Sequence, residues 1–144
     1  MSCKPCHPLI CSNQHPQRNP ASDLQKSYVA ADIETFFVPD IAASYYSYLT
    51  EREDFATLFE RFMMQYRLGA SADIGIYHNQ NNSEVLIAWA QRDRFNDPSI
   101  QARARFTVSN ILPELGDIEA LQAELPEPIL LRRDVSWYEN IDLR

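Results

Sequence analysis

Glycine is scarce in this chain of 144 residues, which contains only Gly69, Gly75 and Gly116. A loop that cradles phosphate needs several glycines close together, so neither a Rossmann fingerprint nor a P-loop is expected. The motifs GxSxG of serine hydrolases and HExxH of zinc proteases are also missing from the sequence. The commonest nucleotide-binding and hydrolytic classes of enzyme are therefore not expected.

Basic residues are outnumbered, because 13 Lys and Arg stand against 20 Asp and Glu, for a formal net charge of −7. Proteins bind nucleic acid by using Lys and Arg to release counterions from phosphates, so nucleic acid is not an expected partner. No apolar run approaches the ~20 residues that span a bilayer, and the first residues lack the apolar segment of a secretory signal. We therefore expect no membrane partner and a cytoplasmic protein.

Cysteine is confined to the first eleven residues. Disulfides there cannot staple the remainder of the chain, so the fold does not rest on a disulfide framework. The segment CKPCH matches the CxxCH pattern of c-type haem attachment. The same region can also supply soft ligands to zinc, from Cys3, Cys6, Cys11, His7 and His15.

The segment 1–26 differs in composition from the rest of the chain. Four prolines lie there among Ser, Asn and Gln, with too few apolar residues to bury a face, which is typical of a flexible tail. We favour a tail that binds no metal or cofactor, with the zinc site as the alternative. The remaining residues, 27–144, are predicted to form one globular domain of ordinary size.

Two helices are predicted from the spacing of apolar residues. Thr50 and Glu53 form a capping box, and apolar residues then recur at steps of three and four until Gly69, a residue suited to a helix end. Pro98 suits a first helical turn, and apolar residues continue at helical spacing to Leu112.

Four strands are predicted from alternating apolar residues. One covers 28–38, two form a hairpin within 72–90, and the last covers 129–138. The order of elements is therefore β, α, β, β, α, β. This order predicts an α+β protein with the ferredoxin-like βαββαβ arrangement, in which a four-stranded antiparallel sheet carries its helices on one face.

The second face of this predicted sheet needs a cover. In the segment Val85–Ala90, the residues that point to each side are apolar, so neither face is suited to water. A second copy of the sheet or a bound hydrophobic ligand would cover it. We therefore expect a homodimer and a hydrophobic small molecule as partners.

The hairpin sequence ADIGIYHNQNNSEVLIAWAQRDRF places Trp89 at the end of a strand and follows it with a charged turn that leads to Phe95. With the order of elements, this sequence resembles the dimeric α/β barrel superfamily, in particular domains similar to antibiotic biosynthesis monooxygenases. The resemblance covers about residues 28–141. It implies a homodimeric α/β barrel that encloses an apolar or aromatic molecule, with cofactor-independent monooxygenase activity. The alternative is a non-catalytic module of the same fold that binds a ligand or a partner.

The resemblance also implies a pocket whose polar lining comes from the hairpin. In related oxygenases a Trp, an Asn and a Tyr or Arg near the hairpin hold the substrate and stabilise its anion. Trp89 and Asn79 are therefore candidate catalytic residues, and Tyr77 and Arg92 are candidate substrate-binding residues. His78 is the only histidine outside the tail, and imidazole suits a general base near neutral pH, so it joins the catalytic candidates. A solvent-facing histidine at a turn is the alternative.

Overall fold

The sheet of this protein has three antiparallel strands in the order β1-β2-β3. The structure is a computed structural model that describes residues 23–78 and 85–141, so residues 1–22 of the predicted tail over 1–26 and the candidate Asn79 lie outside the described residues. The described strands are β1 (Asp73–Tyr77), β2 (Ile87–Arg92) and β3 (Ile129–Leu130), and the described α-helices are α1 (Asp23–Ser27), α2 (Ala30–Phe37), α3 (Glu51–Leu68), α4 (Pro98–Ile111) and α5 (Ile118–Ala123). Short 3-10 helices lie at Tyr45–Tyr48, Arg94–Asn96, Pro113–Leu115 and Tyr138–Asn140.

The two long helices are confirmed, although the predicted capping box is present only in its Thr50 half, with no bond from the Thr50 amide to the Glu53 side chain in the described residues. The Thr50 hydroxyl accepts from the amide of Glu53 at 3.1 Å at the start of α3, and Gly69 ends this helix in the left-handed conformation with φ of 61°. Asp97 caps α4, where its side chain accepts from the amide of Ser99 at 2.9 Å. These ends are set by local hydrogen bonds, which is why the sequence pattern predicted them.

A helical core lies beside the sheet. Leu58 and Phe62 of α3 pack against Ile100 and Ala104 of α4. Ile118 of α5 closes the same cluster, and all five side chains are buried. This core fixes the position of α3 and therefore of the polar side chains that α3 presents at the sheet.

The predicted hairpin is also present. β1 pairs antiparallel with β2, with Ile74 opposite Gln91 and Gly75 opposite Ala90. A register irregularity follows Ile76, and β2 runs two residues beyond the predicted end at Ala90. The hairpin is thus confirmed, with the second strand displaced by two residues from the predicted Val85–Ala90.

The first predicted strand, 28–38, is wrong, because this segment contains α2. Ala30 and Phe37, two helical turns apart, are its buried residues. The carboxylate of Asp32 accepts from the amide of Val29 at 3.0 Å and caps the first turn. A short apolar segment satisfies both the alternation of a strand and the spacing of a helix, and the cap with tertiary packing decides between them.

The last predicted strand, 129–138, is wrong beyond Leu130. Asn140 is fully buried, and its side chain accepts from the amide of Arg132 at 2.9 Å and donates to the carbonyls of Arg132 and Ser136. Asp134 adopts a left-handed conformation with φ of 58°. These bonds close residues 131–141 into a loop, which we call the C-terminal loop.

The C-terminal loop covers one face of the sheet. Its Trp137 lies so close to β1 that a Cβ added to Gly75 would stand 3.0 Å from the ring and 3.0 Å from the Cβ of Ala90. On the opposite face, Phe37 packs against Trp89. The ferredoxin-like four-stranded sheet and the dimeric α/β barrel are therefore wrong, although the protein is α+β. The face that was expected to need a second copy is covered by the chain itself.

Candidate functional site

A cleft opens at the amino end of β1. Four segments form its wall, namely residues 43–44, Arg61 of α3, residues 72–74, and residues 94–95 after β2. The cavity has a volume of about 40 Å³, which is room for a few water molecules or for one carboxylate group. The cleft therefore suits a small polar group better than an entire cofactor.

Arg61 is a half-buried cation in this wall that has no partner. In the described parts of the chain, its guanidinium makes no hydrogen bond and no ion pair. A guanidinium carries five N–H donors, and solvent reaches those of Arg61, because none of its nitrogens is among the buried atoms without a partner in the described residues. Arg61 is thus suited to receive an external acceptor.

Asp73 is the carboxylate in the same wall, and another arginine already holds it. Arg92, which lies opposite on β2, donates from Nε to Oδ1 at 2.7 Å and from Nη2 to Oδ2 at 2.8 Å. This hydrogen bonding raises the pKa of Arg92 against the opposing effect of burial. Both oxygens of Asp73 are engaged in this two-point contact, and no ion pair between Asp73 and Arg61 is present in the described residues.

Asp54 of α3 is engaged in the same way. Its two carboxylate oxygens accept from Nη2 of Arg103 at 2.5 and 2.7 Å. Arg103 also donates to the carbonyl of Ile41, which ties α4 to the segment before the first 3-10 helix. The acid about two helical turns before Arg61 is therefore also committed to another arginine.

Arg94 supplies a second, buried positive charge to the wall. Nη2 donates to the carbonyls of Phe37, Val38 and Asp40, at the end of α2 where a helix leaves its carbonyls without partners. Nε donates to the carbonyl of Ala42 at 2.9 Å. Arg94 thus acts as a C-terminal cap for α2, supplied from a different part of the chain.

The charge of Arg94 is balanced mainly by neutral oxygens. Nη1 donates to the side-chain oxygen of Gln91 at 2.9 Å, and the guanidinium lies 4.7 Å from the ring of Phe37 and 5.3 Å from the ring of Trp89. Burial lowers the pKa of Arg94, and the negative charge of Asp97 offsets part of that effect. The wall therefore carries two arginine charges and one carboxylate that is already paired with a third arginine.

The outer edge of β1 is open in the described part of the chain. The carbonyl of Ala72 accepts a hydrogen bond from the amide of Asp93, and the amide of His78 donates to the carbonyl of Leu86. The main-chain groups of Ala72 and His78 therefore point towards β2. The carbonyl of Ala90, opposite Gly75, instead accepts from Leu131 on the β3 side. Because main-chain groups alternate along a strand, the N–H and C=O groups of the odd-numbered residues point away from β2. These residues are Asp73, Gly75 and Tyr77.

Two of the predicted site residues, Trp89 and Arg92, make contacts that hold the fold together. Trp89 is 3% exposed and packs edge-to-face on Phe37, with ring centroids 5.7 Å apart. Arg92 binds Asp73 and also donates to the carbonyl of Asn140. Neither is presented to the cleft by these contacts. Their roles in catalysis and substrate binding stay predictions.

His78 and Tyr77 lie together at the other end of β1. Nε2 of His78 is 3.0 Å from Oδ1 of Asp134 in the C-terminal loop. The ring of Tyr77 contacts that of Trp137 in the same loop, at 5.7 Å between centroids. The structure therefore places these candidates together, away from the cleft at the amino end of the strand.

Sequence reasoning missed Arg61 and Arg94. Arg61 lies on a helix with several other charged residues, and a charge on a helix predicts a solvated side chain. RDR, which contains Arg94, looks like a polar turn after a strand. No local signal distinguishes either arginine, because Arg61 meets cleft residues at least 11 positions away and Arg94 binds carbonyls 52 to 57 positions away.

No metal centre is indicated within residues 23–78 and 85–141, where no three side chains of His, Cys, Asp and Glu are grouped to hold an ion. In the same ranges, none of the helices has the length and apolar character required to cross a bilayer.

Comparison of the chain with protein-family models, curated proteins and solved structures finds no match. The resemblance to antibiotic biosynthesis monooxygenases therefore stays a prediction, and function has to be argued from the site.

Proposed function

We propose that this protein is a non-catalytic binding module that holds an extended segment of a partner protein against the outer edge of β1. The observation that carries the proposal is the row of outward main-chain groups on Asp73, Gly75 and Tyr77. An open strand edge is a template on which another chain pairs, through main-chain hydrogen bonds that need no particular sequence.

Both faces of the sheet are covered by side chains, which favours binding at the edge of the sheet over binding on a face. Trp137 covers one face and Phe37 covers the other. A rigid sheet with covered faces holds β1 in a fixed conformation, which lowers the entropy cost of adding a strand.

A partner segment fits the edge better than a second copy of this chain. Two copies paired antiparallel about Gly75 would bring Tyr77 of each copy opposite Asp73 of the other, a pairing that gives Asp73 no cation. Each copy also carries a net charge of −7, which opposes self-association.

The test uses amide hydrogen exchange of the isotopically labelled protein. The probe is an N-acetylated pentapeptide of alternating Val and Thr with a free carboxyl terminus. Saturation is expected to slow exchange of the amides of Asp73, Gly75 and Tyr77 by at least about tenfold, since each gains an acceptor. Unchanged exchange at all three amides would refute the proposal. Slowing that rises with protein concentration without the peptide would assign the edge to a second copy and also overturn it.

Tyr77 offers a matched pair of variants. Tyr77→Pro removes an outward N–H at a place where an edge strand tolerates proline, while Tyr77→Val keeps the N–H and loses the same aromatic ring. The peptide is expected to bind the Val variant and to bind the Pro variant more weakly by about tenfold. Equal binding by both variants contradicts edge pairing.

A second candidate function is general-base catalysis at His78, the activity expected for a cofactor-independent monooxygenase. The contact of 3.0 Å between His78 and Asp134 favours it, because a carboxylate orients an imidazole for proton transfer. Oxygen uptake with aromatic phenols and anthrones tests this candidate. Uptake that is lost in His78→Ala supports it, and uptake that is absent or unchanged excludes it.

A further inference from the structure

We infer that the Arg61 cleft binds the carboxylate at the carboxyl terminus of the partner segment. This inference rests on the proposed function and names the partner's chemistry. An antiparallel segment beside β1 runs opposite to the strand, so its carboxyl end arrives at the amino end of β1. The cleft that contains Arg61 and residues 72–74 opens at that end.

The unpaired guanidinium of Arg61 is the group that would bind the terminal carboxylate of the partner segment. Asp73 in the same wall has both oxygens engaged by Arg92, and Asp54, two turns earlier on α3, has both oxygens engaged by Arg103. A planar guanidinium matches a carboxylate through two parallel N–H donors, and such charged bonds are stronger than neutral ones.

Ser44 adds a second donor to the same cleft. Its hydroxyl oxygen accepts from the amide of Tyr46 at 3.2 Å. Its own proton has no acceptor in the described ranges 23–78 and 85–141. Arg61 and Ser44 therefore present free donors from two different segments.

Charge and size favour a carboxylate over a phosphate. Asp73 faces the cleft as well, and its charge opposes a dianion more strongly than a monoanion. The volume of about 40 Å³ also corresponds to a small group.

The experiment compares the Val/Thr pentapeptide with a free carboxyl terminus and the same peptide with a carboxamide terminus. Binding is measured by titration, followed by the amide signals of residues 72–74 and the Nε–H signal of Arg61. The free-acid peptide is expected to bind about tenfold more tightly, which corresponds to one charge-assisted hydrogen bond.

Two variants on α3 separate the site from general charge effects. Arg61→Gln is expected to bring the ratio of the two affinities to about one. Arg52→Gln removes the same charge from an exposed position on α3 outside the cleft, and it is expected to keep the tenfold ratio. Arg61→Lys keeps the charge without the planar fork and is expected to give an intermediate ratio.

The inference and the proposed function fail in different ways. A ratio of one in the unmodified protein, or a ratio unchanged in Arg61→Gln, overturns carboxylate recognition even when the β1 amides are protected. A second titration uses acetate alone in place of the two peptides. Saturable shifts by acetate that vanish in Arg61→Gln, without protection of the β1 amides by either peptide, support the carboxylate site and overturn the partner segment.

Discussion

Replacement of Arg94 by methionine is expected to lower the free energy of unfolding by about 3 to 5 kcal/mol. Arg94 is 5% exposed and donates to five oxygen atoms, four of them main-chain carbonyls between residues 37 and 42. Methionine fills similar space but removes these donors; the Phe37 carbonyl keeps its bond from the Asp40 amide, and each acceptor that loses its partner and is not reached by water costs about 1 to 3 kcal/mol. The substitution also removes a charge whose burial is itself unfavourable, and this gain offsets part of the lost hydrogen bonding. The expected loss in the free energy of unfolding is therefore smaller than the summed loss of five separate hydrogen bonds.

Urea denaturation followed by fluorescence measures this loss. The chain has two tryptophans, and Trp89 lies 5.3 Å from the Arg94 guanidinium while Trp137 lies on the other face of the sheet. A Trp137→Phe background therefore reports on the environment of Arg94. With a urea dependence of about 1.5 kcal/mol per M, a loss of 3 kcal/mol moves the midpoint down by about 2 M.

Arg94→Lys is the control for charge. Lysine keeps a positive charge but reaches fewer of the five oxygens, so an intermediate midpoint is expected. A midpoint for Arg94→Met within about 0.5 M of the unmodified protein would show that the carbonyls after α2 do not depend on this side chain.

Three further outcomes are expected. Gly75→Ala should cost about 1 to 3 kcal/mol and alter Trp137 fluorescence, because the new methyl group lies 3.0 Å from that ring; an unchanged spectrum and midpoint would contradict the packing. Gln65→Met should raise the thermal midpoint, since both amide atoms of this buried side chain lack partners among the described residues; a lower midpoint would oppose this. Burial raises the pKa of Asp97, but hydrogen bonds from Ser99 outweigh it and hold the pKa below its ordinary 3.8. Asp97→Ala should therefore cost about 1 kcal/mol at pH 7, and less as the pH falls below about 3.8, measured by urea titration at each pH.

The sequence predicted elements whose signals are local. Thr50 and Gly69 mark the ends of α3 through contacts within four residues, and the observed helix has both features. The hairpin was likewise predicted from alternation on either side of a polar cluster. The segment that contains α2 shows the limit, because an eight-residue apolar helix and a strand share the same apolar positions.

The site was harder to predict than the elements around it. Arg61 differs from Arg52 in the sequence only by position on one helix, yet only Arg61 lines the cleft. The sequence predicted His78 as a catalytic residue but not its partner, which in the structure is Asp134, 56 residues away. Pairing at such separation depends on how the chain closes, which composition and spacing do not encode locally.

By itself, the sequence determined the long helices, the hairpin and the acidic charge balance, because capping, periodicity and composition act over a few residues. Tertiary structure alone decided how the sheet is covered and which edge stays open. Asn140 folds the C-terminal loop so that Trp137 lies over Gly75, and Arg94 draws the end of α2 onto the opposite side. Trp137 and Gly75 are 62 positions apart, and Arg94 and Phe37 are 57 positions apart. The unpaired charge of Arg61 likewise depends on tertiary structure, since Asp73 is held by Arg92 and Asp54 by Arg103.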